Sequence, residues 1–243
     1  MKKFVLLLAL CFGVGNVFAQ DADKLRDEGD AAIKAKDYKT ALAKYSEFLK
    51  LTEYKDTVRI YNCAIAANQV KNYEEAAKYF DMAVKYKYNL AGSYTGEAMA
   101  LRNLKKTDEF LETVNAGLEA LPGNDNLEKL LYAYCITNGQ AAQKANKFED
   151  AEKLFKAVLV SGDAKHKSNA LYCLGSLYYN RGANLLVEVT PLATTDADKY
   201  NAGKEKATVD LKKAKEFLEE ALKANEANAN AKKILDAINT TLK

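Results

Sequence analysis

The chain has 243 residues, 49% hydrophobic and 28% charged, with 36 Lys and Arg against 33 Asp and Glu for a formal charge of +3. So near a balance argues against the basic footprint of a nucleic-acid binder. With His166 as the single histidine, no His-based metal site or Ser-His-Asp triad can be assembled, and no Cys-x-x-Cys, HExxH, Gly-x-Ser-x-Gly or glycine-rich phosphate loop occurs.

Residues 1–19 read as a secretory signal peptide. Lys2 and Lys3 open it, Phe4 to Phe12 form an apolar run, and Val17-Phe18-Ala19 make a small-x-Ala cleavage site before Gln20. The stretch is too short and wrongly flanked for a spanning helix. The two-lysine start suggests bacterial export, with the periplasm as the expected compartment and the cell exterior as the alternative. Cys11 follows Leu10, where a lipid-anchored cysteine requires a small residue, so no lipid anchor is expected. Losing Lys2 and Lys3 leaves 34 basic against 33 acidic side chains, and no later apolar run is long enough to span a bilayer.

From residue 20 the apolar residues recur with helical spacing. Ala41, Tyr45 and Phe48 return as Ala76, Phe80 and Ala83, then as Ala151, Phe155 and Val158, a stripe of small residue, aromatic and apolar residue. Phe110 and Ala214 complete the anchors, at successive spacings of 35, 34, 41 and 63 residues. Each stripe is the second helix of a helix-turn-helix copy. The first helices carry Leu25, Gly29 and Ala32, then Gly139 and Ala142, then Leu171, Gly175 and Tyr178. A glycine inside a helix costs about 1 kcal/mol against alanine, and close helix approach is the packing reason for it here. Five copies follow, at 22–55, 57–90, 91–124, 126–162 and 168–226. Asn126 to Ala145 reads as one long helix, which accounts for the 41-residue step.

Pro122 closes the third copy, and Pro191 lies inside the fifth, where an insertion of about 183–207 replaces the short turn. There the first helix is expected from about Asn169 to Val189. A second, capped by Thr195, should run to Ala224, with Leu185, Leu186 and Val189 facing Tyr200, Ala207 and Val209 and a kink at Gly203. The result is an elongated helical hairpin. Residues 227–243 form a capping helix that starts at Asn228, with Ile234, Leu235, Ile238 and Leu242 inward and Lys232, Lys233, Asp236 and Asn239 outward. Cys63, Cys135 and Cys173 are expected as buried free thiols. Acidic pairs such as Glu74/Glu75 and Glu219/Glu220 have lysines at helical spacing and read as solvated faces rather than acid/base pairs.

These motifs resemble the tetratricopeptide repeat family, whose period is about 34 residues, over roughly residues 22–226. The Ala-Gln signal end and elongated last repeat are similar to exported members from Bacteroidetes. The family's Trp is absent, its closing Pro survives only as Pro122, and the third copy inverts sizes with Phe110 in the small slot and Gly117 in the last. The resemblance implies an all-α fold, a right-handed superhelical solenoid of antiparallel helix pairs, whose first helices line a concave groove. Carried onto this sequence, the groove positions are Arg26, Asp30 and Ile33; Tyr61, Ile65 and Asn68; Thr95, Met99 and Arg102; Ile136, Gln140 and Gln143; and Tyr172, Ser176 and Tyr179. One subgroup clamps a terminal carboxylate with a lysine and an asparagine, but Arg26 and Asp30 stand there, and an aspartate repels that ligand. The implied function is an exported, non-enzymatic interaction module or scaffold, without cofactor or metal, holding a protein or peptide partner, in a cell-envelope complex or otherwise. The alternative is a periplasmic carrier of a glycan or cell-wall fragment stacked on Tyr61, Tyr172 and Tyr179.

Overall fold

The computed structural model describes residues 20–242, so the expected signal peptide lies outside the described residues. Among them all regular structure is helical: α1 (20–34), α2 (Tyr38–Leu51), α3 (Thr57–Gln69), α4 (Tyr73–Lys85), α5 (Leu90–Asn103), α6 (Thr107–Ala120), α7 (Asp125–Lys144), α8 (Phe148–Ala157), α9 (Ala164–Val189), α10 (Ala197–Ala224) and α11 (Ala229–Thr241). Short 3-10 segments follow α8 at Val158–Val160 and α9 at Thr190–Thr194. Consecutive helices pack as antiparallel pairs, as the repeat implies.

Short polar side chains start most of these helices. Asp37, Asp56, Asn72, Asn124 and Asn228 each accept from the backbone N–H three residues on, and Asp163 accepts from two N–H groups. A cap of this kind contributes about 1 kcal/mol by satisfying an otherwise unpaired donor. The turns inside the first four copies are built alike. Lys36, Lys71, Lys105 and Asn146 each have φ near +60°, and the following N–H donates to the carbonyl five residues back (Asp37 to Ala32, Asn72 to Ala67, Lys106 to Leu101, Lys147 to Ala142). That is the Schellman closure of a helix C-terminus.

The anchors Ala41, Ala76, Phe110, Ala151 and Ala214 are all fully buried. A Cβ on Gly29 would lie 2.7 Å from the Tyr45 ring, on Gly139 2.5 Å from Phe155, and on Gly175 2.6 Å from Leu218. These glycines admit the large side chain of their partner helix. Phe110 and Gly117, inverted in size, are both buried, and Cys63, Cys135 and Cys173 are buried free thiols.

The helices fall into two compact units, one through Leu121 and one from Pro122. The first is built on a cluster that includes Tyr45, Leu49, Ile60, Tyr79 and Phe80. The second has a cluster of Leu171, Tyr178, Leu211, Leu218 and Ile238, against which Ile234 and Leu235 of α11 and Leu242 just after it pack. Asn228 Nδ2 also donates to Ser168 Oγ, whose hydroxyl donates to the Ala221 carbonyl, pinning the cap helix to both long helices.

Two details of the expected hairpin differ. Helix α9 begins at Ala164, because Asp163 caps it, rather than near Asn169. The cap of α10 is Asp196, accepting from Lys199 N–H, rather than Thr195. Helix α10 runs unbroken through Gly203, which is buried where any Cβ would overlap Val189, so it serves packing. Val209 is 60% exposed and lies beside Arg181 and Leu185 of α9. Ala207 and Val189 are buried as expected.

Candidate functional site

The candidate groove residues stand mostly on half-exposed faces of the first helices, and several are already engaged. In the first unit Arg26 pairs with Asp23 at 2.8 Å and Asp27 at 2.9 Å. Asp30 accepts from Arg59 Nε at 3.2 Å, from Arg59 Nη2 and from the Tyr45 hydroxyl at 2.7 Å. Burial pushes the Asp30 carboxyl up, but those hydrogen bonds and the charges of Arg59 and Arg26 outweigh it and hold it below the usual range. Asp30 therefore ties α1, α2 and α3 together rather than standing free for a ligand. Arg59 was not among the groove positions. Its role depends on a neighbour in another copy, which no single repeat displays.

Tyr61 is similarly committed. Its ring meets Phe80 edge-on at 5.7 Å and Tyr88 at 5.6 Å, and burial raises its hydroxyl pKa. Ile33, Ile65, Asn68, Thr95 and Met99 are half-buried, and Arg102 is exposed. Deeper in the third copy, Glu97 occupies a slot between α4, α5 and α6. It accepts from Thr113 Oγ1 at 3.2 Å, and burial with nearby Asp81 pushes its carboxyl up to about 7.

In the second unit Ile136 is only 9% exposed. The stretched α7 buries it in the packing, so it is not part of an open surface. Gln140 is exposed, and Gln143, Tyr172, Ser176 and Tyr179 are half-exposed. Tyr172 and Tyr179 pack on the second cluster.

The strongest polar network there lies outside the expected positions. Arg181 Nε and Nη2 each donate to Asp210 at 2.6 Å, and its guanidinium lies 3.6 Å above the Phe148 ring. Tyr178 donates to Glu152 at 2.6 Å, meets Phe148 edge-on at 5.0 Å and has Lys213 4.5 Å over its face. Burial, then the Glu152 carboxylate, pushes the Tyr178 hydroxyl up to about 12. Beside this network a cavity of about 490 Å³ opens between Gln143, the α7–α8 turn and one face of α9. Of the expected groove residues, Gln143 alone borders it. Asn180, Asn184 and Glu188 were missed; the signal was their helical spacing on α9, past the end of an ordinary repeat helix.

One cluster superficially suggests chemistry. Ser161 lies 3.5 Å from His166 Nδ1 and donates to Glu128 at 3.2 Å, but Ser161 is fully buried and its hydroxyl accepts from Asp163 N–H. Glu128 also accepts from Gly162 N–H at 2.9 Å. The carboxylate touches the serine rather than the histidine, so nothing orients a base. The cluster fixes the α8–α9 loop to α7. The three thiols are raised by burial, to about 11 at Cys63 and Cys173 and about 12 at Cys135, the opposite of activation. Among the described residues no group of His, Cys, Asp and Glu could hold a metal, and no helix is long and apolar enough to cross a membrane.

No family model matches the chain. It is similar to a solved TPR repeats protein from Bacteroides fragilis, 41% identical with a TM-score of 0.79, covering 90% of this chain and 98% of that one. It is also similar to the protein STIP1 homolog of Dictyostelium discoideum, 29% identical over 142 residues and 57% of this chain. A third relative is small glutamine-rich tetratricopeptide repeat-containing protein 2 of Mycosarcoma maydis, 30% identical over 112 residues and 46% of this chain. The chain spans only 25% and 32% of the length of these two curated relatives. With near-complete coverage of the Bacteroides fragilis protein and the repeat geometry described above, the chain belongs to the tetratricopeptide repeat family.

Proposed function

We propose that this protein is an exported, non-enzymatic interaction module that holds a protein or peptide partner on its first-helix faces, in the cell envelope. The observation that carries the reading is the half-exposed surface of residues such as Asn68, Met99, Gln143 and Tyr179, set on helices whose opposite faces are fully packed. A rigid scaffold carrying amide and aromatic side chains suits capture of a segment at small ordering cost. Export is supported by the sequence of residues 1–19 alone.

Two measurements test it. A photo-crosslinking side chain placed at Asn68, Met99 or Gln140 should trap the same protein partner in living cells, whereas one at the exposed Lys50 or Glu112 should not. Equal trapping at both sets, or trapping at neither, overturns the partner reading. Fractionation with N-terminal sequencing should recover a chain beginning at Gln20 from the envelope or medium; an uncleaved cytoplasmic chain overturns export. The carrier reading is less well supported, because the Tyr61 ring is packed against two others. Thermal stabilisation by cell-wall oligosaccharides, with no protein crosslinked, would favour it.

A further inference from the structure

The cavity beside α9 reaches beyond the ordinary copies: Gln143, Asn146, Phe148, Leu177, Asn180 and Arg181 are repeat residues, and Asn184, Leu185 and Glu188 come from the insertion of the fifth. Its volume of about 490 Å³ falls in the range of roughly 300–1,000 Å³ usual for ligand sites. Four carboxamides surround it: Gln143 and Asn146 from one side, Asn180 and Asn184 from α9. Each offers two donors and an acceptor, the complement of a peptide unit. Asn180 and Asn184 are one helical turn apart, so their Cβ atoms stand about 5–6 Å from each other. In an extended chain residues two apart are separated by about 6.6 Å. The two asparagines therefore register with alternate residues of an extended backbone.

The remaining lining sets side-chain preference. Leu185 and the part of Phe148 that Arg181 leaves open supply an apolar surface for one aliphatic side chain, with the nearly buried Leu177 beneath. The charge of Arg181 is matched by Asp210, leaving Nη1 outside that pair as a donor for a carbonyl. Glu188 is exposed at the edge and is the one unbalanced charge of the lining, which favours a basic side chain. A sugar is disfavoured because stacking needs a bare aromatic face. Phe148, the single aromatic of the lining, has Arg181 at 3.6 Å over its ring and meets Tyr178 edge-on.

We propose that this cavity binds an extended peptide segment, its backbone held by the carboxamides, with one aliphatic side chain on Leu185 and the open part of Phe148 and a basic side chain two residues away at Glu188. The inference rests on the partner-binding reading and assigns it a second site, completed by the insertion.

The test uses the purified protein with a labelled, end-capped hexapeptide, Gly-Ser-Leu-Ser-Lys-Gly, its counterpart with Glu for Lys, and chitohexaose. The Lys peptide should bind about tenfold more tightly than the Glu peptide and shift the side-chain amide resonances of Asn180 and Asn184. Glu188→Lys should reverse that order. Asn180→Ala with Asn184→Ala should weaken binding by about tenfold or more, the loss of two backbone hydrogen bonds. If that double variant fails to fold, Glu188→Lys, at an exposed position, carries the test. Equal binding of the two peptides, shifts caused by chitohexaose instead, or no shift with either peptide overturns the proposal. Crosslinks at Asn68 and Met99 that persist while the Asn180 and Asn184 resonances stay still would sink this site and leave the broader reading standing.

Discussion

Lys36, Lys71, Lys105 and Asn146 each stand five positions before a repeat anchor with φ of 57° to 62°, a conformation that most side chains resist. An L-residue there costs about 1–2 kcal/mol relative to the right-handed region, while a glycine gives back about 0.4–1 kcal/mol through its freer unfolded chain. Lys71→Gly should therefore stabilise the fold by about 0.5–1 kcal/mol, and Lys78→Gly, in the middle of α4, should destabilise it by about 1 kcal/mol. Urea midpoints of the two variants check this, and a loss of stability at both would mean that the turn is not held as described. Glu97 is a second strained residue, of a different kind. Its folded pKa of about 7 exceeds the ordinary 4.5, so the folded state holds a proton that the unfolded chain has released. Stability then falls as pH rises from about 4.5 to 7 and levels off above, by at most about 3 kcal/mol. Glu97→Gln should flatten that slope and raise stability at pH 8 while changing little at pH 4.5.

Among the elements, α9 and α10 depend most on one pair. Asp210 is 11% exposed at the side chain and its partner Arg181 43%. Removing the guanidinium strands a nearly buried carboxylate, a change that costs about 3–5 kcal/mol at a fully buried site; solvent at Arg181 reduces this to about 1–3 kcal/mol. Arg181→Ala should show that loss in thermal or urea unfolding, and Arg181→Lys should recover only part of it, because an ammonium cannot make the two-pronged contact or lie flat on Phe148. Restoration of full stability by lysine would reduce the pair to simple charge. This element also marks how far the sequence could be read. The anchors and the glycines facing Tyr45, Phe155 and Leu218 were legible, since close packing permits few residue types and repeats them. The hairpin was legible from its length and from Pro191. The turn lysines were not, because a left-handed lysine looks like any exposed lysine. Asp30 and Ile136 could be read only by register: the sequence does not show that Asp30 meets Arg59, 29 residues away, or that Ile136 is buried on the stretched α7.

For the whole molecule, a repeat array adds local and neighbour terms instead of sharing one core, and here each compact unit has its own buried cluster. Asp30 and Glu97 both lie in the first unit, and they bend its stability in opposite directions. The depressed pKa of Asp30 contributes stability that is fully present above its unfolded value and is lost as pH falls through the folded one. Glu97 removes stability on the other side, between about 4.5 and 7. The first unit should therefore be most stable in mildly acidic solution. The second unit has depressed carboxyls at Glu152, Asp163 and Asp196, all of the same sign as Asp30, and should hold its stability through neutrality. Native-state hydrogen exchange, corrected for intrinsic rates, should show protection in α3–α5 falling from pH 5 to 8 while that of α9 and α10 stays level. Asp30→Ala at pH 7 should then lower protection in α1–α4 well before α9–α11, because the hydrogen bonds it breaks join α1, α2 and α3. Equal losses across all the helices would show a single cooperative unit, and the independence of the two clusters would have to be abandoned.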